Sequence, residues 1–284
     1  MSRWLPYEEV HGRRHTVTGE VRVWRRLDGA PGIPGREILV WLPPSLVAGR
    51  GAGHRYPTLY FHDGQNVFDA HTSYAGEWRA DEALEALARD GIEAIAVAIP
   101  NSGDGRMDEY NPWRSSEPMW REGQMVGGKG DAYLDWLVGR VKPLVDRSFP
   151  TSPERMETGI IGSSMGGLIS IYGLLTHAET FGLAGVISPS IRWSRYGILR
   201  EIVQRGLPPA RVHLDMGGRE WRGGFADARR LRDALVGAGM KVGRDLRYVE
   251  DRHAPHNEPA WARRLPDALR FLLTGEEALR ARVE

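Results

Sequence analysis

The 284-residue sequence contains no cysteine. Disulfide bonds, thiolate nucleophiles and cysteine metal sites are therefore excluded. No stretch approaches the roughly 18 uncharged apolar residues of a membrane-spanning helix. The first ten residues, MSRWLPYEEV, also lack the apolar segment of a secretory signal peptide. We therefore expect a cytoplasmic protein that has no membrane partner.

An excess of charge of either sign is also missing. The 38 basic and 37 acidic residues nearly cancel, which leaves a net charge of +1. Lysine is rare and occurs only as Lys129, Lys142 and Lys241. Because no block of basic residues stands out, a nucleic-acid partner is not expected. Nothing in the sequence points to a protein partner either, and the formation of a homo-oligomer stays open.

Predicted strands and helices alternate along the chain. Two strand-like stretches, residues 15–24 and 36–44, come first. Apolar runs such as 92–100 then alternate with stretches of helical spacing such as 77–90. This order predicts an α/β fold, with a mostly parallel twisted sheet, helices on both faces and antiparallel N-terminal strands. No repeat or low-complexity linker interrupts it, so residues 1–284 are expected to form a single domain.

A polar and aromatic segment, residues 101–130, shows no clear periodicity. Loops of this length inside a domain are usually functional or disordered. Aromatic residues in and just beyond the segment favour order: Tyr110, Trp113, Trp120 and Tyr133. We therefore expect a lid or pocket wall, and the alternative is that these aromatic residues simply pack in the core or on the surface.

Residues 162–166, Gly-Ser-Ser-Met-Gly, contain the pattern G-x-S-x-G. Only Ser164 fits its centre, because Ile161 and Met165 occupy the positions that would flank Ser163. An ordinary glycine-containing turn can have the same pattern. Here an apolar strand-like run precedes the pattern and the helical stretch MGGLISIYGLL follows it, which is the context of a nucleophile elbow. Ser164 is therefore predicted to be a catalytic nucleophile at a helix N-terminus.

A serine nucleophile needs a histidine base, which in this type of fold follows the serine and the acid along the chain. His177 and His213 fall in a predicted helix and strand, where a structural role is more common. His253 and His256 both follow the last predicted strand. We favour His256, since Asn257 can cap the final helix beside it, and keep His253 as the alternative.

The acid that orients the base should follow the strand RVHLDMG. Glu220 lies on the loop just beyond this strand, whereas Asp215 lies inside it and Asp227 inside the next predicted helix, so Glu220 is favoured. An oxyanion hole requires two backbone amides. The candidates are Met165, which follows the nucleophile, and Gln65 in the turn HDGQN.

No cofactor is expected. GSSMGG and GGKGD lack the full patterns of dinucleotide- and phosphate-binding loops. His253 and His256 have the spacing of a metal-binding pair, but no third ligand is arranged to complete a site, so no metal is predicted.

Several segments together resemble the putative esterase family of α/β-hydrolases, which includes S-formylglutathione hydrolases, feruloyl and acetyl-xylan esterases, siderophore esterases and mycolyltransferases. The similarity extends from about residue 36 to 273 and is carried by LYFHDGQNVFD, AIPNSGDGRMDEYNPW, GGKGDAYLDWLVGRVKPLVDRSFP, TGIIGSSMGGLISIYGLL, VISPSIRW, LDMGGRE and HNEPAW.

The resemblance implies an α/β-hydrolase fold, with Ser164 as nucleophile, His256 as base and Glu220 as acid. It places Met165 and the DGQ turn at the oxyanion hole. It also implies that four further residues lie above the nucleophile and bind substrate: Arg106, Glu109, Tyr110 and Trp193. DGQN replaces the DGLR-like turn of mycolyltransferases, and no cysteine or other feature marks a glutathione-thioester enzyme.

These residues predict a serine carboxylic-ester hydrolase that acts on a small-molecule ester through an acyl-enzyme intermediate. Acyl transfer or peptide cleavage by the same triad is one alternative. A non-catalytic relative that binds a carbohydrate or siderophore is another, and it would not react with an active-site phosphonate.

Overall fold

The apolar runs of the sequence form one large sheet. The protein is described here by a computed structural model that covers residues 3–115, 125–193 and 195–275. In these residues nine strands pair in the order β1-β2-β3-β5-β4-β6-β7-β8-β9. The strands are β1 Leu5–Pro6, β2 Glu20–Leu27, β3 Arg36–Leu42, β4 Thr58–His62, β5 Ile95–Ile99, β6 Thr158–Ser163, β7 Leu183–Ile187, β8 Arg211–Gly217 and β9 Leu246–Asp251.

The pairing of the strands changes once across the sheet, from antiparallel to parallel. Pairs β1–β2, β2–β3 and β3–β5 are antiparallel. All pairs from β5–β4 to β8–β9 are parallel. This confirms the predicted α/β fold class, with antiparallel N-terminal strands beside a parallel sheet. The N-terminal residues extend the sheet at its edge through β1 and β2.

Helices lie between the strands and after the last one. They are α1 Tyr7–His11, α2 Pro44–Val47, α3 Ala80–Arg89, α4 Arg106–Glu109, α5 Gly130–Trp136, α6 Lys142–Ser148, α7 Met165–Thr176, α8 Gly197–Arg205, α9 Gly224–Gly237 and α10 Glu258–Thr274. A π-helical turn, Leu137–Val141, joins α5 to α6. In the described part of the chain, none of the helices combines the length and the apolar composition of a membrane span.

The central strands are buried on both faces. Every residue of β4, β5, β6 and β7 is buried. Successive side chains of β4 point to opposite faces: Tyr60 joins one apolar cluster, while Leu59 and Phe61 join the other. Helices cover both faces of a parallel sheet, so these strands have no polar face, which explains their continuous apolar sequence.

The predicted strand 15–24 is wrong at its beginning, because β2 starts only at Glu20. The preceding residues instead bind side chains of the loop before α3 and of its first turn. Thr16 donates its amide to Asp69 Oδ1 at 3.2 Å, and Thr18 donates its amide to Asp81 Oδ2 at 2.6 Å. Their alternating pattern therefore resembles a strand, although their backbone amides bind carboxylates.

Much of the aromatic segment packs inward. Tyr110 and Tyr133 are fully buried. The ring of Trp113 packs against that of Tyr172, with 5.5 Å between the ring centroids. Trp120 lies outside the described residues, together with the rest of 116–124. A lid formed by 101–130 therefore stays a prediction, although these three aromatic residues have a packing role.

Candidate active site

Ser164 lies in the turn between β6 and α7 in a strained backbone conformation. Its φ is 58° and its ψ is −119°, a region that residues other than glycine rarely occupy. The turn is fixed by its amide, which donates to Ile187 O at 3.0 Å, and by its carbonyl, which accepts from Ser190 N at 3.0 Å. This is the strand–turn–helix geometry of a nucleophile elbow.

The two glycines of the motif differ in how tightly they are packed. A Cβ on Gly162 would lie 2.6 Å from the carbonyl carbon of Gly166, which is backbone and cannot move aside easily. A Cβ on Gly166 would lie 3.4 Å from His62 Cβ, an ordinary contact. The elbow therefore requires glycine before the serine and leaves room for a methyl group after it.

We expect Gly162→Ala to destabilise the protein by about 1–3 kcal/mol, because the added methyl group overpacks the elbow. Ester hydrolysis should fall with it, since Ser164 would be displaced. Urea unfolding and steady-state kinetics measure both effects. Gly166→Ala is the matched control and should cost clearly less, and equal losses in the two variants would contradict this steric account.

The predicted acid and base meet across two neighbouring loops. Glu220 follows β8 and His256 follows β9, and backbone hydrogen bonds join the loops, such as Gly218 N to Asp251 O at 2.8 Å. His256 Nδ1 lies 2.8 Å from Glu220 Oε2. Since the Glu220 side chain is fully buried and that of His256 is 29% exposed, the pair has a buried acid and an accessible ring.

The other candidate acids have different partners. Asp215 receives two hydrogen bonds from Arg264, at 2.9 and 3.0 Å, and its Oδ2 lies 3.3 Å from His213 Nε2. Asp227 contacts arginine side chains, among them Arg230 at 3.1 Å. Of the three acids, only Glu220 contacts His256 within the described ranges.

The alternative base, His253, is exposed, and its backbone amide donates to Asp251 Oδ1 at 3.1 Å. Neither His253 nor His256 belongs to a cluster of three metal-binding side chains in the part of the chain that the structure covers.

Sequence reasoning assigned no role to Ser188 or to Arg264, and both brace Glu220. Ser188 Oγ donates to Glu220 Oε1 at 2.5 Å and accepts from Arg264 Nη2 at 2.9 Å and Trp261 Nε1 at 3.1 Å. Gly217 N donates to the same Glu220 oxygen at 2.8 Å. In the sequence, Ser188 lies within the segment VISPSIRW, which does not indicate these partners.

Burial and hydrogen bonding act in opposite directions on Asp215. Burial works to raise its pKa, but His213 and Arg264 stabilise the anion more strongly and hold the pKa below its usual range. Arg264 therefore pairs with an ionised Asp215. This ion pair holds Arg264 where it donates to Ser188 Oγ, which in turn donates to Glu220.

Ser164 Oγ lies 3.1 Å from Ser190 Oγ. Among the described residues it makes no hydrogen bond to His256. Catalytic hydrogen bonds are often long or misaligned before substrate binds, so this geometry does not exclude a serine–histidine pair. The His256 ring is held at its edges by Trp261, with ring centroids 4.9 Å apart, and by Trp221 at 5.2 Å.

The two candidate oxyanion amides lie in adjacent turns. Met165 is the first residue of α7, so its amide has no acceptor within the helix. Gln65 is the middle residue of the 3₁₀ turn Gly64–Asn66, and its Oε1 accepts from Asn101 N at 3.1 Å. The left-handed residue here is Asp63, with φ 54°. Gly64 is required for a different reason: a Cβ would lie 2.4 Å from Ile99 N.

Glu109 and Tyr110, which the resemblance implies bind substrate, are both buried in the structure. Glu109 is 1% exposed and forms a two-point ion pair with Arg36, at 2.6 and 2.8 Å. Tyr110 is fully buried, and its hydroxyl accepts from Asp63 N at 3.0 Å. The Glu109 carboxylate and the Tyr110 hydroxyl therefore have partners within the protein, and their contact with a substrate stays a prediction.

Arg106 and Trp193 stay closer to the surface. Arg106 binds both oxygens of Asp63 at 2.7 Å. Burial works to raise the Asp63 pKa, but the charge and hydrogen bonds of Arg106, together with the hydrogen bond from Asn101, lower it below its usual value. Trp193 is 8% exposed, and within the described ranges its Nε1 is buried without a hydrogen-bond partner.

Comparison with known proteins is consistent with this geometry. Residues 35–272 match the family model described as putative esterase. The uncharacterized protein YbbA of Bacillus subtilis is 29% identical over 187 residues, which are 66% of this chain and 70% of that protein. The siderophore triacetylfusarinine C esterase of Aspergillus fumigatus is 31% identical over 150 residues, 51% of this chain and 48% of that protein.

Solved structures share the fold at low sequence identity. The BES protein from Bacillus cereus superimposes with a TM-score of 0.72 at 18% identity, covering 92% of this chain and 98% of that chain. The siderophore hydrolase EstA from Aspergillus nidulans gives a TM-score of 0.69 at 19% identity, covering 92% and 97%. With the family match over most of its length, the chain belongs to the putative esterase family and is a carboxylic-ester hydrolase.

Proposed function

We propose that the protein hydrolyses small-molecule esters through an acyl-enzyme intermediate formed on Ser164. The observation that carries this proposal is the backbone of Ser164, with φ 58° and ψ −119° at the start of α7. Such strain persists only where the surrounding structure enforces it, and it presents the hydroxyl at a helix N-terminus. The 2.8 Å contact between His256 Nδ1 and Glu220 Oε2 supports the proposed pairing of base and acid.

In the first half-reaction, Ser164 Oγ attacks the ester carbonyl carbon while His256 Nε2 takes the hydroxyl proton. Glu220 accepts from His256 Nδ1–H, which keeps Nε2 free as the base and stabilises the imidazolium that forms. The carbonyl oxygen becomes an oxyanion and receives hydrogen bonds from the amides of Met165 and Gln65. When the intermediate collapses, the ester C–O bond breaks and His256 gives its proton to the departing alcohol.

In the second half-reaction, water replaces the alcohol. His256 takes a proton from the water, the resulting hydroxide attacks the acyl carbon, and the bond to Ser164 Oγ breaks. Ser164 recovers its proton from His256, and the carboxylic acid leaves. Every proton passes through His256, so the protein residues alone complete the cycle.

Siderophore esters are the first substrates to test, because a curated relative is described as a siderophore esterase, one structural neighbour as a siderophore hydrolase and another, from Shigella flexneri, as an enterobactin esterase. Acyl transfer by the same residues would need an alcohol in place of water in the second half-reaction. The two outcomes separate when product is measured with and without an added alcohol acceptor.

Rapid-mixing kinetics with a chromogenic ester tests the acyl-enzyme. We expect an initial burst of alcohol product, close to one equivalent per enzyme, whenever deacylation is the slower step. Added hydroxylamine should then raise the steady-state rate and give a hydroxamate, because it competes with water for the acyl group. A hydroxamate yield that stays at the level of uncatalysed aminolysis would contradict an acyl-enzyme.

A further inference from the structure

Three carboxylates converge where the chain enters α3. Glu77 precedes this helix, and Asp81 and Glu82 lie in its first turn. One oxygen from each of the three lies within 4.8 Å of the other two. We call these residues the α3 acidic cluster. The proposed catalytic steps do not use it.

Two oxygens of the cluster are buried without a partner. Asp81 is fully buried, and its Oδ2 accepts from Thr18 N at 2.6 Å. Within the described residues its Oδ1 has no hydrogen-bond partner, and neither does the buried Oε2 of Glu82. A buried carboxylate oxygen without a donor or a cation is costly, so the cluster is incomplete as a purely protein-made site.

Nearby charges do not neutralise the cluster. Arg79 binds Glu82 Oε1 at 2.9 Å, but its side chain is 64% exposed and only one oxygen is engaged. A fourth carboxylate is close, because the Thr16 hydroxyl lies 3.1 Å from Glu77 Oε1 and 3.2 Å from Asp69 Oδ1. The surroundings therefore favour a positively charged ligand.

A proton could satisfy part of the cluster. Burial, with the neighbouring Glu82 carboxyl, raises the pKa of Asp81 to about 9. At neutral pH Asp81 would then hold a proton, unless a cation stabilises its ionised form. This proton would be shared in a hydrogen bond between the Asp81 and Glu82 carboxyls, which contributes to the raised pKa. A cation would replace the shared proton and would bind the carboxylate of Glu77 as well.

We propose that the α3 acidic cluster binds one Ca²⁺ ion through Glu77, Asp81 and Glu82. Carboxylate oxygens are the ligands that hard cations prefer, and the cluster contains no histidine that would favour zinc. Ca²⁺ accepts irregular sets of six to eight oxygens, of which water can supply several, whereas Mg²⁺ demands near-ideal octahedral geometry.

The ion would join two segments that are distant in sequence. Asp81 and Glu77 already hold the N-terminal segment through Thr18 and Thr16. The backbone beside the cluster is hydrogen-bonded to the last residue of the candidate oxyanion turn, with Trp78 N donating to Asn66 O at 2.8 Å. Ca²⁺ should therefore raise the thermal stability of the whole fold, since it binds the folded state only.

Terbium luminescence tests this site directly, because Tb³⁺ replaces Ca²⁺ and is excited by a nearby tryptophan, here Trp78. We expect saturable emission with one Tb³⁺ per chain, displaced by Ca²⁺. Glu77→Gln and Asp81→Asn should each weaken Tb³⁺ binding at least about tenfold. Glu179→Gln removes a charge at a side chain that is 72% exposed and should leave binding unchanged.

Melting curves in Ca²⁺ and in EDTA give an independent readout. Wild type and Glu179→Gln should melt at a higher temperature in Ca²⁺, and Asp81→Asn should show no such difference. Asp81→Asn should also melt no lower than wild type in EDTA, because the amide keeps an acceptor for Thr18 and removes a buried acid. Wild-type protein that shows neither sensitised emission nor a Ca²⁺-dependent melting temperature would overturn the proposal and leave a shared proton as the explanation.

Discussion

Replacing Ser164 with alanine is expected to lower kcat for ester hydrolysis by at least about 10⁴-fold, because the atom that forms the acyl bond is removed. The small side chain leaves the packing of the elbow unchanged, so the circular dichroism spectrum and melting temperature should match wild type. Steady-state hydrolysis of a chromogenic ester, with purified variant and wild type side by side, measures the effect.

Two neighbouring serines are the matched controls for this variant. Ser163→Ala removes a buried hydroxyl one residue away and should retain most of the activity. Ser190→Ala removes the hydroxyl 3.1 Å from Ser164 Oγ and should cost far less than Ser164→Ala. If Ser164→Ala retained wild-type kcat, the nucleophile assignment would be wrong.

Replacing Glu220 with glutamine should lower kcat about 10³–10⁴-fold with little loss of stability. The glutamine oxygen can still accept from Ser188 and Gly217, but its amide cannot accept from His256 Nδ1–H. The ring is then held in the tautomer that has no free Nε2 for the serine proton. KM should change much less, because Glu220 contacts the base rather than the substrate.

Asp215→Asn is the comparison that separates the two acids. It removes the close ion pair of the buried Arg264 and leaves only the longer contact with Glu220, at 3.8 Å, so we expect a loss of about 3–5 kcal/mol in the free energy of unfolding. The folded fraction of this variant should keep a much higher kcat than Glu220→Gln. Urea unfolding and active-site-normalised kinetics measure the two effects, and a reversed order of kcat would make Asp215 the triad acid.

The fold could be predicted from the sequence because its central strands consist almost entirely of apolar residues. Ile95–Ile99 and Leu183–Ile187 are short, apolar and buried on both faces, and helical spacing separates such runs. The prediction was wrong at residues 15–19, where the same alternation occurs in backbone whose amides bind Asp69 and Asp81. The alternation of polar and apolar residues does not show whether the backbone amides bind a neighbouring strand or a carboxylate side chain.

The candidate site could be predicted only where a local motif marks it. Ser164, Glu220 and His256 each follow a recognisable strand, and the motif fixes their order along the chain. The support for Glu220 escaped prediction, because Ser188 and Arg264 are 76 residues apart and meet only after the sheet has formed.

The partner of Glu109 escaped prediction for a similar reason. The ion pair of Glu109 with Arg36 spans 73 residues, and the sequence RMDEY gives no sign that the glutamate points inward. A buried charge needs a partner, and that partner is set by tertiary packing rather than by neighbouring residues.

The most direct test of the account is intact mass spectrometry after treatment with a fluorophosphonate, followed by peptide mapping. We expect a single adduct on wild-type protein that maps to Ser164, disappears in Ser164→Ala and persists in Ser163→Ala. A folded wild-type protein that forms no adduct, or forms it at another residue, would contradict an activated serine at the elbow.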